Sequence, residues 1–202
     1  MSDPIAVVVV VAAYLIGAIP FGLLVARFFG AGDIRQQGSG NIGATNVLRA
    51  AGKKAGATAL LLDMFKGALP LFISMSLYGA NDPITLYCAL AAFSGHLYPI
   101  YLGFKGGKGV ATALGILLAW VPLVGLITVL LWLLGAKLFK ISSLAALIAF
   151  ALLPPMLYLF GESLPLWASA YVTPLIFWRH RANINRLLRG EEPRIGKKSE
   201  VS

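Results

Sequence analysis

Charged side chains are scarce in this sequence of 202 residues. Asp, Glu, Lys and Arg make up 12% of the chain, whereas a soluble globular domain carries about 25%. Hydrophobic residues make up 58%, and the mean hydropathy is +0.81. This composition argues against an ordinary soluble domain and predicts an integral membrane protein that forms a single domain.

Cysteine is also nearly absent from the chain. The one cysteine, Cys88, lies in an apolar stretch, so it cannot form an intramolecular disulfide and provides no metal cluster. Lys and Arg are missing before the first apolar run, because the chain opens Met1-Ser2-Asp3-Pro4. A cleaved signal peptide carries basic residues at that point, so we interpret the first run as a permanent membrane span.

The polar segments of the chain contain few groups that could act as a base or as a metal ligand. Apart from Asp33, just upstream, no carboxylate lies in the glycine-rich segments. Neither histidine begins an HxxxxD motif, because Tyr101 and Asn185 stand where the aspartate would be. With no evident Ser-His-Asp set or metal cluster, we expect no metal and no cofactor. Such a site suits a reaction with a good leaving group, in which the protein mainly orients anions.

Long apolar runs, by contrast, are abundant. A helix needs about 20 apolar residues to cross the hydrocarbon core. The sequence therefore predicts membrane-spanning helices within residues 5–26, 57–79, 84–102, 110–136, 141–160 and 163–178. Asp63 and Lys66 lie in the second run and are predicted to form an internal ion pair, since either charge alone would be costly there. The fourth run is interrupted at Trp120-Val121-Pro122, so it forms either one helix or two.

The distribution of charge decides between six and seven spans. With seven spans and the N-terminus outside, every Lys and Arg except Lys66 lies in or next to a cytoplasmic loop. With six spans, Lys137 and Lys140 would lie opposite the earlier basic loops. The positive-inside rule therefore predicts an all-α protein of seven transmembrane helices, with the N-terminus outside and the C-terminus in the cytoplasm.

The net charge of +9 has to be interpreted in this membrane setting. In a membrane protein it indicates cytoplasmic loops and anionic ligands rather than nucleic acid. We predict a single transmembrane catalytic domain over residues 1–190 and a mobile charged cytoplasmic tail, EEPRIGKKSEVS, over residues 191–202.

Five polar segments fall on the cytoplasmic side in this topology. Because their chemistry matches, they predict a single active site at the membrane boundary, built from glycine-rich cytoplasmic loops. The segments are GSGNIGATNVLR (38–49), GHLYP (95–99), GFKGGKGVAT (103–112), KISSL (140–144) and RHRANINRL (179–187).

The first segment, residues 38–49, has the composition of an anion site. Glycine lets successive backbone N–H groups close on an anion. Arg49 adds a permanent charge with a planar fork that suits phosphate. Neutral hydrogen-bonding groups lie between them, on Ser39, Asn41, Thr45 and Asn46. The alternative interpretation is an ordinary turn followed by the cap of the second helix.

The segment KGGKG, residues 105–109, is also interpreted as an anion site at the start of a helix, where the helix dipole favours negative charge. It is not a Walker A loop, because Gly109 follows Lys108 where Ser or Thr is needed. A Walker A loop also needs a glycine five residues before Gly107, where Leu102 stands. The alternative is a short basic connector that obeys the positive-inside rule.

Two histidines and two serines complete the candidate polar groups. His96 lies near the inner end of its span, where it could pack helices through a hydrogen bond or contact substrate. His180 and Asn183 are spaced to share one helix face toward the pocket, while the arginines around them could bind lipid headgroups. Ser142 and Ser143 precede a helix and could simply cap it.

Taken together, these segments resemble the bacterial acyl-phosphate-dependent glycerol-3-phosphate acyltransferase family, often called PlsY. GSGNIGATNVLR, GHLYPIYLGFKGGKGVAT and HRANINRLLRG look like its three signature regions, and DMFKG and SSL look like lesser ones. The resemblance runs in family order over nearly the whole chain, and the ordered set is far more specific than any single motif.

The resemblance implies a seven-span enzyme of the bacterial inner membrane with its active site on the cytoplasmic side. Such an enzyme transfers a fatty acyl group from acyl phosphate to the 1-hydroxyl of sn-glycerol 3-phosphate. Its products are lysophosphatidic acid and inorganic phosphate, in the first step of phospholipid biosynthesis. The implied partners are the two substrates, membrane lipid and, transiently, the synthase that produces acyl phosphate.

The same resemblance implies which residues form the site. The implied catalytic residues are Ser39, Arg49, Lys108, His180 and Asn183. The implied substrate-binding residues are Gly40, Asn41, Thr45, Asn46, His96, Lys105, Gly106, Gly107, Gly109, Ser142 and Ser143. Which of the two serines matches the family motif is left open.

Two other functions use similar groups. A transporter for organic phosphates would present the same cationic surface, but it should show inverted repeats and a site near the midplane of the bilayer. The sequence shows no repeat, and its polar segments fall at one edge. A CDP-alcohol phosphotransferase would need several aspartates to hold a metal, and the polar segments lack them.

Overall fold

The computed structural model describes residues 3–195, and these fold into a bundle of α-helices. The helices are α1 (Pro4–Ala18), α2 (Phe21–Phe28), α3 (Ala44–Tyr78), α4 (Pro83–Leu97), α5 (Val110–Trp120), α6 (Pro122–Phe139), α7 (Ser142–Leu159), α8 (Ser163–Arg179) and α9 (Arg181–Leu188). By length and composition, four helical stretches in this part of the chain can cross a membrane: Pro4–Phe28, Ala44–Tyr78, Pro122–Phe139 and Ser142–Leu159. The prediction of an all-helical membrane protein is confirmed.

The first apolar run, predicted as one helix, contains a break. Helix α1 ends at Ala18, and α2 starts at Phe21, after Ile19 and Pro20. Proline has no N–H to donate and clashes with the preceding turn, so the helix cannot continue through it. The Ile19 carbonyl instead accepts a hydrogen bond of 2.7 Å from Lys66 Nζ on α3.

That lysine also forms the ion pair predicted within the membrane. Lys66 Nζ lies 2.8 Å from Asp63 Oδ1, and both side chains are almost fully buried. The pair therefore neutralises two buried charges, and its lysine also donates a hydrogen bond to a carbonyl at the α1–α2 break.

Replacing Lys66 with methionine should destabilise the protein strongly, because it leaves the Asp63 carboxylate buried without its partner. Breaking a buried pair in this way costs about 3–5 kcal/mol, which corresponds to a fall in Tm of roughly 6–20 °C for a chain of this size. Thermal unfolding in one detergent measures the change. The double variant Asp63→Asn/Lys66→Met should recover much of it, and a Lys66→Met protein as stable as wild type would contradict the role of the pair.

The long fourth run turns back on itself, which confirms the predicted break. Helix α5 ends at Trp120 and α6 begins at Pro122, because the residue before a proline is disfavoured in helical geometry. A Cβ on Gly125 would meet the main chain of Leu117 and Leu118, so α6 doubles back along α5. Trp120 Nε1 donates a hydrogen bond of 2.9 Å to the Ala80 carbonyl and ties this turn to the α3–α4 loop.

Helix α3 contains a sharp bend at Gly52, just after the polar segment 38–49. Gly52 has a φ of 84° and a ψ of −179°, a conformation open essentially only to glycine. A Cβ on Gly56 would meet the main chain of Leu48, so the segment 44–51 folds back against the rest of the helix. The bend turns the side of this segment that carries Arg49 toward the bundle interior.

Small residues let the remaining helices approach closely. Gly17 of α1 lies against the Ala92 main chain of α4, and Gly115 of α5 lies against the Met64 main chain of α3. Close backbone contact of this kind is the usual basis of helix packing in membranes. It places the start of α5 beside the middle of α3, where the polar segments meet.

Candidate active site

The five polar segments converge on one cavity of about 520 Å³, as the sequence predicts. Its walls come from the loop 38–43, the segment 44–51, the start of α5, the start of α7, and α9. Residues 192, 193 and 195, from the predicted tail, also line it. A single compartment therefore collects residues from Gly38 to Ile195, nearly the whole described length of the chain.

Positive charge predominates at the polar end of this cavity. Its cations are Arg49, Lys53, Lys108 and Arg186, and its carboxylates are Asp63 and Glu192. Since Asp63 already pairs with Lys66, the cations outweigh the free negative charge. The cavity is therefore suited to bind anions, and arginine and lysine together suit phosphate.

The cavity also has an apolar wall. It is lined by Ala57 and Leu60 of α3, Trp132 and Ala136 of α6, and Ala146 of α7. Helix α6 packs on α5 and α7, while α3 packs on α5. An apolar wall continuous with a cationic end suits a ligand that has both a hydrocarbon chain and an anionic head.

The loop that contains Ser39 is shaped by Asn46 rather than by the glycines alone. Asn46 Oδ1 accepts a hydrogen bond of 3.1 Å from the Ser39 N–H. Its Nδ2 donates to the carbonyls of Ile34, at 2.9 Å, and Gln37, at 3.0 Å. Asn46 is buried and its amide is fully engaged, so it holds the loop in place. Gly38 is left-handed, with a φ of 56°, and lies directly against Asn46 Oδ1.

The two middle glycines of KGGKG serve close packing. The N–H of Gly106 donates to the Leu97 carbonyl at 3.2 Å, and that of Gly107 donates to the His96 carbonyl at 3.1 Å. These amides are thus taken by main-chain acceptors, instead of converging on an anion as expected. A Cβ on Gly107 would overlap the His96 ring, which explains the need for glycine there.

Arg179, one of the arginines that could have bound lipid headgroups, instead holds this loop from behind. Its Nε donates to the Gly107 carbonyl at 2.9 Å, and its Nη2 donates to the Gly106 carbonyl at 2.5 Å. The guanidinium also stacks over the Tyr98 ring at 5.7 Å. Lys105 is exposed on the outer side of the loop, whereas Lys108 lines the cavity.

His96 lies at the deep end of the polar region. Its Nδ1 is 3.9 Å from Asp63 Oδ1, and the side chain is only 4% exposed. The ring packs against Gly107 and lines the cavity. The structure thus places His96 next to the Asp63–Lys66 pair rather than at the cationic end.

His180 is neutral and has a fixed tautomer. Its Nδ1 lies 2.8 Å from the Ile176 carbonyl, and a carbonyl only accepts, so Nδ1 carries the hydrogen. Burial, together with the nearby charge of Lys108, lowers the pKa of His180 to about 4. The ring therefore offers Nε2 to the cavity as a hydrogen-bond acceptor, not as a cation.

Lys108 and Asn183 form a direct contact within the cavity. Lys108 Nζ donates to Asn183 Oδ1 at 2.5 Å. Burial lowers the pKa of Lys108 to about 8, although the charge of Glu192 opposes this. Near neutral pH the lysine is a cation aimed into the pocket.

Two further hydrogen bonds join distant elements across the site. Thr45 and Ser142 are linked through their hydroxyls at 3.1 Å. Ser143 donates to Glu192 Oε1 at 2.7 Å. Both serines therefore line the cavity, each with a different partner.

Arg49 reaches from the segment 44–51 to the predicted tail. Its Nη2 donates to the Pro193 carbonyl at 3.2 Å, while its Nε is buried and has no hydrogen-bond partner among the described residues. The Ile195 N–H donates to the Lys140 carbonyl at 2.7 Å. The first residues of the predicted mobile tail thus contact the site, and residues 196–202 lie outside the described part of the chain.

Most of the sequence candidates meet in this cavity. Those that line it are Ser39, Asn41, Thr45, Asn46, Arg49, His96, Lys108, Gly109, Ser142, Ser143, His180 and Asn183. The remaining candidates, which lie outside the described lining, are Gly40, Lys105, Gly106 and Gly107. Sequence reasoning missed Lys53, Arg186 and Glu192 as lining residues. The local signals for them were slight: Lys53 directly follows Gly52, Arg186 lies three residues after the candidate Asn183, and Glu192 is one of two glutamates after Gly190.

Comparison with known proteins points in one direction. The family model for glycerol-3-phosphate acyltransferase matches residues 7–190. A glycerol-3-phosphate acyltransferase of Bordetella petrii is 52% identical, and the match covers 93% of this chain and 92% of that protein. One from Jannaschia sp. is 50% identical, and the match covers 93% of this chain and 91% of that protein.

Solved structures show the same architecture. A crystal structure of PlsY (YgiH), an integral membrane glycerol 3-phosphate acyltransferase, in its glycerol 3-phosphate form has a TM-score of 0.89 at 44% identity. The alignment covers 95% of this chain and 96% of that one. The lysophosphatidic acid form has a TM-score of 0.87 at 44% identity, and the alignment covers 95% of each of the two chains.

Proposed function

The chain belongs to the glycerol-3-phosphate acyltransferase family, and we propose that it transfers a fatty acyl group from acyl phosphate to the 1-hydroxyl of sn-glycerol 3-phosphate. The products are lysophosphatidic acid and inorganic phosphate, and the reaction is the first step of phospholipid biosynthesis. The fold is that of an integral membrane protein. We place it in the bacterial inner membrane with its active site on the cytoplasmic side.

One observation carries this proposal: the cavity joins a cationic end to an apolar wall. Both substrates bring a phosphate, and the donor also brings a hydrocarbon chain. Arg49 and Lys108 are suited to bind the phosphates, while Leu60 and Trp132 lie where an acyl chain can enter from between the helices. The glycerol 3-phosphate and lysophosphatidic acid forms of the related structure support the acceptor and the product.

The site is poor in groups that could remove a proton near neutral pH. The pKa of His180 is about 4 because of burial, and Asp63 is paired with Lys66. Burial raises the pKa of Glu192, but hydrogen bonds from Ser143, Asn183 and Arg186 lower it by more. Its carboxylate is therefore ionised and already surrounded by donors.

An acyl phosphate does not need a strong base, because phosphate is a good leaving group. The glycerol hydroxyl oxygen attacks the acyl carbonyl carbon, and the carbon–oxygen bond to phosphate breaks. The hydroxyl proton passes to a substrate phosphate oxygen. His180 Nε2 accepts a hydrogen bond from the other glycerol hydroxyl and so orients the acceptor, while Ser39 and Lys108 hold the anionic groups in line. The protein contributes mainly position and positive charge.

The experiment that tests the function uses the pure full-length protein in detergent or in vesicles. It is incubated with acyl phosphate and labelled glycerol 3-phosphate, and lysophosphatidic acid is measured. Product formation with the stoichiometric release of phosphate supports the proposal. Label that crosses vesicles without product would indicate a transporter, and a requirement for CDP-activated substrate would indicate a phosphotransferase. Either result would overturn the proposal.

We further propose seven transmembrane helices with the N-terminus outside, formed by α1–α2 together and by each of α3 to α8. The charge distribution and the α5–α6 reversal support this arrangement. Residues 1–190 form the catalytic domain, and residues 191–202 form a cytoplasmic extension whose first part contacts the site. The synthase that supplies acyl phosphate would approach from the same side.

The topology predicts opposite labelling at two exposed positions. In sealed inverted and right-side-out vesicles, Asn81→Cys should react with an impermeant thiol reagent from outside only, and Lys105→Cys from the cytoplasmic side only. Wild type is the control, because its single cysteine, Cys88, is buried and should not react. Labelling of both variants from the same face would disprove the seven-span arrangement.

A further inference from the structure

We infer that Glu192 is a positioning residue of the reaction, holding the Asn183 amide and, through it, the Lys108 ammonium toward substrate phosphate. This inference rests on the proposed acyl transfer. It assigns a role to a residue beyond the span matched by the family model, which ends at residue 190.

The carboxylate of Glu192 receives donors from three side chains. Oε1 accepts hydrogen bonds from Asn183 Nδ2 at 2.5 Å and from Ser143 Oγ at 2.7 Å. Oε2 accepts from Arg186 Nε at 2.7 Å. The Glu192 side chain is only 6% exposed. A solvated tail residue would not be held in this way, so the contacts form a built part of the site.

These contacts determine which end of the Asn183 amide faces Lys108. An ammonium group only donates, so it needs the amide oxygen, and a carboxylate only accepts, so it needs the NH₂ group. The observed chain of bonds runs from Lys108 Nζ to Asn183 Oδ1 and from Asn183 Nδ2 to Glu192. Without the carboxylate, the amide is free to turn its NH₂ group toward the lysine, which would weaken the contact that places Nζ.

The chain that follows Glu192 is anchored at two points. Arg49 donates to the carbonyl of Pro193, and the Ile195 N–H donates to the Lys140 carbonyl at 2.7 Å. The carboxylate is thus fixed to α3 and to the α6–α7 turn, as well as to α9 and α7. A positioning group needs such support, because it can hold another side chain in place only if its own position is fixed.

The charge of Glu192 also bears on the protonation of Lys108. Lys108 is faced by Glu192 and by three arginines, and it adjoins the neutral His180; the arginines are Arg49, Arg179 and Arg186. Among the charges acting on Lys108, Glu192 raises its pKa while the arginines lower it. Removing the carboxylate should therefore let Lys108 lose its proton at a lower pH.

The test compares Glu192→Gln with Glu191→Gln, since Glu191 is the exposed neighbour. The kcat/KM for glycerol 3-phosphate is measured from pH 6 to 10, because this parameter reports groups of the free enzyme. Glu192→Gln should lower kcat/KM about tenfold, the scale of a lost charge-assisted hydrogen bond. In the pH profile of kcat/KM, the fall at high pH (the alkaline limb) should also begin at a lower pH, by roughly half a pH unit or more. This is the direction expected when an opposite charge is removed.

Glu192→Asp separates charge from packing. It keeps the carboxylate at a shorter reach, so its activity should fall while its alkaline limb stays near that of wild type. Glu191→Gln should match wild type in both respects. A Glu192→Gln protein that is folded and keeps the wild-type limb would overturn the inference, whatever its rate, because a merely structural contact does not move that limb.

Failure of the proposed function gives a different pattern. If wild type makes no lysophosphatidic acid, acyl transfer is wrong. Binding of inorganic phosphate by the same proteins then tests the positioning of Lys108. The alkaline limit of binding should still move down in Glu192→Gln and not in Glu192→Asp; an unchanged limit would also overturn the role of Glu192.

Discussion

Replacing Arg49 with alanine should lower kcat/KM for acyl transfer roughly thirty-fold or more, while the bundle stays folded. The guanidinium lines the cationic end of the cavity, and its buried Nε has no hydrogen-bond partner among the described residues. Removing it leaves a substrate charge without its counter-charge, which typically costs about 2–5 kcal/mol. Only part of this loss should come from the contact with Pro193.

Arg49→Lys is the matched control, because it keeps the charge but loses the planar fork, and it should recover activity only in part. Ser39→Ala should have a smaller effect, since the hydroxyl is neutral. Steady-state rates on protein that elutes as a single folded species decide the matter. Near-normal rates for Arg49→Ala would mean that the segment 38–49 is only a connector.

Lys108→Met should be comparably damaging, with a loss of roughly thirty-fold to a few thousand-fold in kcat/KM. The residue is the one lysine of its loop that lines the cavity in the described structure, and it contacts Asn183 directly. Lys105→Met is the matched control in the same loop. Its side chain is exposed, so its loss should stay below about fivefold. Equal losses in the two variants would show that the loop needs general positive charge rather than Lys108.

The pH dependence of the Lys108 variants gives a second measurement. Burial lowers the pKa of Lys108 to about 8, so the charged form that binds phosphate is lost as the pH rises through that value. Wild-type kcat/KM should fall above about pH 8. Lys108→Arg remains charged at any accessible pH, so whatever activity it retains should lack this alkaline fall. A wild-type profile that stays flat to pH 10 would exclude Lys108 as the titrating group.

Features governed by local chemistry could be predicted from the sequence. The break between α5 and α6 follows from Pro122 in a run too long for one span. The Asp63–Lys66 pair follows from the cost of an isolated charge in a membrane. The convergence of the five motifs on one cavity was expected because the positive-inside rule predicts the same side of the membrane for all of them.

Features that depend on distant contacts could not be predicted in this way. The sequence EEPRI is typical of a solvated tail. Nothing near Glu192 in the sequence indicates that its hydrogen-bond partner is Ser143, 49 residues away. Arg179 belongs to a basic cluster typical of lipid contact, yet it bonds to carbonyls 72 and 73 positions earlier. From the sequence alone, the amides of Gly106 and Gly107 could bind an anion. Only the fold shows that they donate hydrogen bonds to carbonyls at the end of α4.

The bend at Gly52 makes the spacing of the motif as important as its composition. The segment 44–51 is a short helical arm folded back on its own span, so the direction of each side chain is set by its angular distance from the bend. Inserting or deleting one residue between Arg49 and Gly52 would rotate the guanidinium by about 100° around the arm. Such an insertion or deletion would leave the hydropathy, the charge and the sequence of the segment 38–49 unchanged, but the arginine would face away from the cavity.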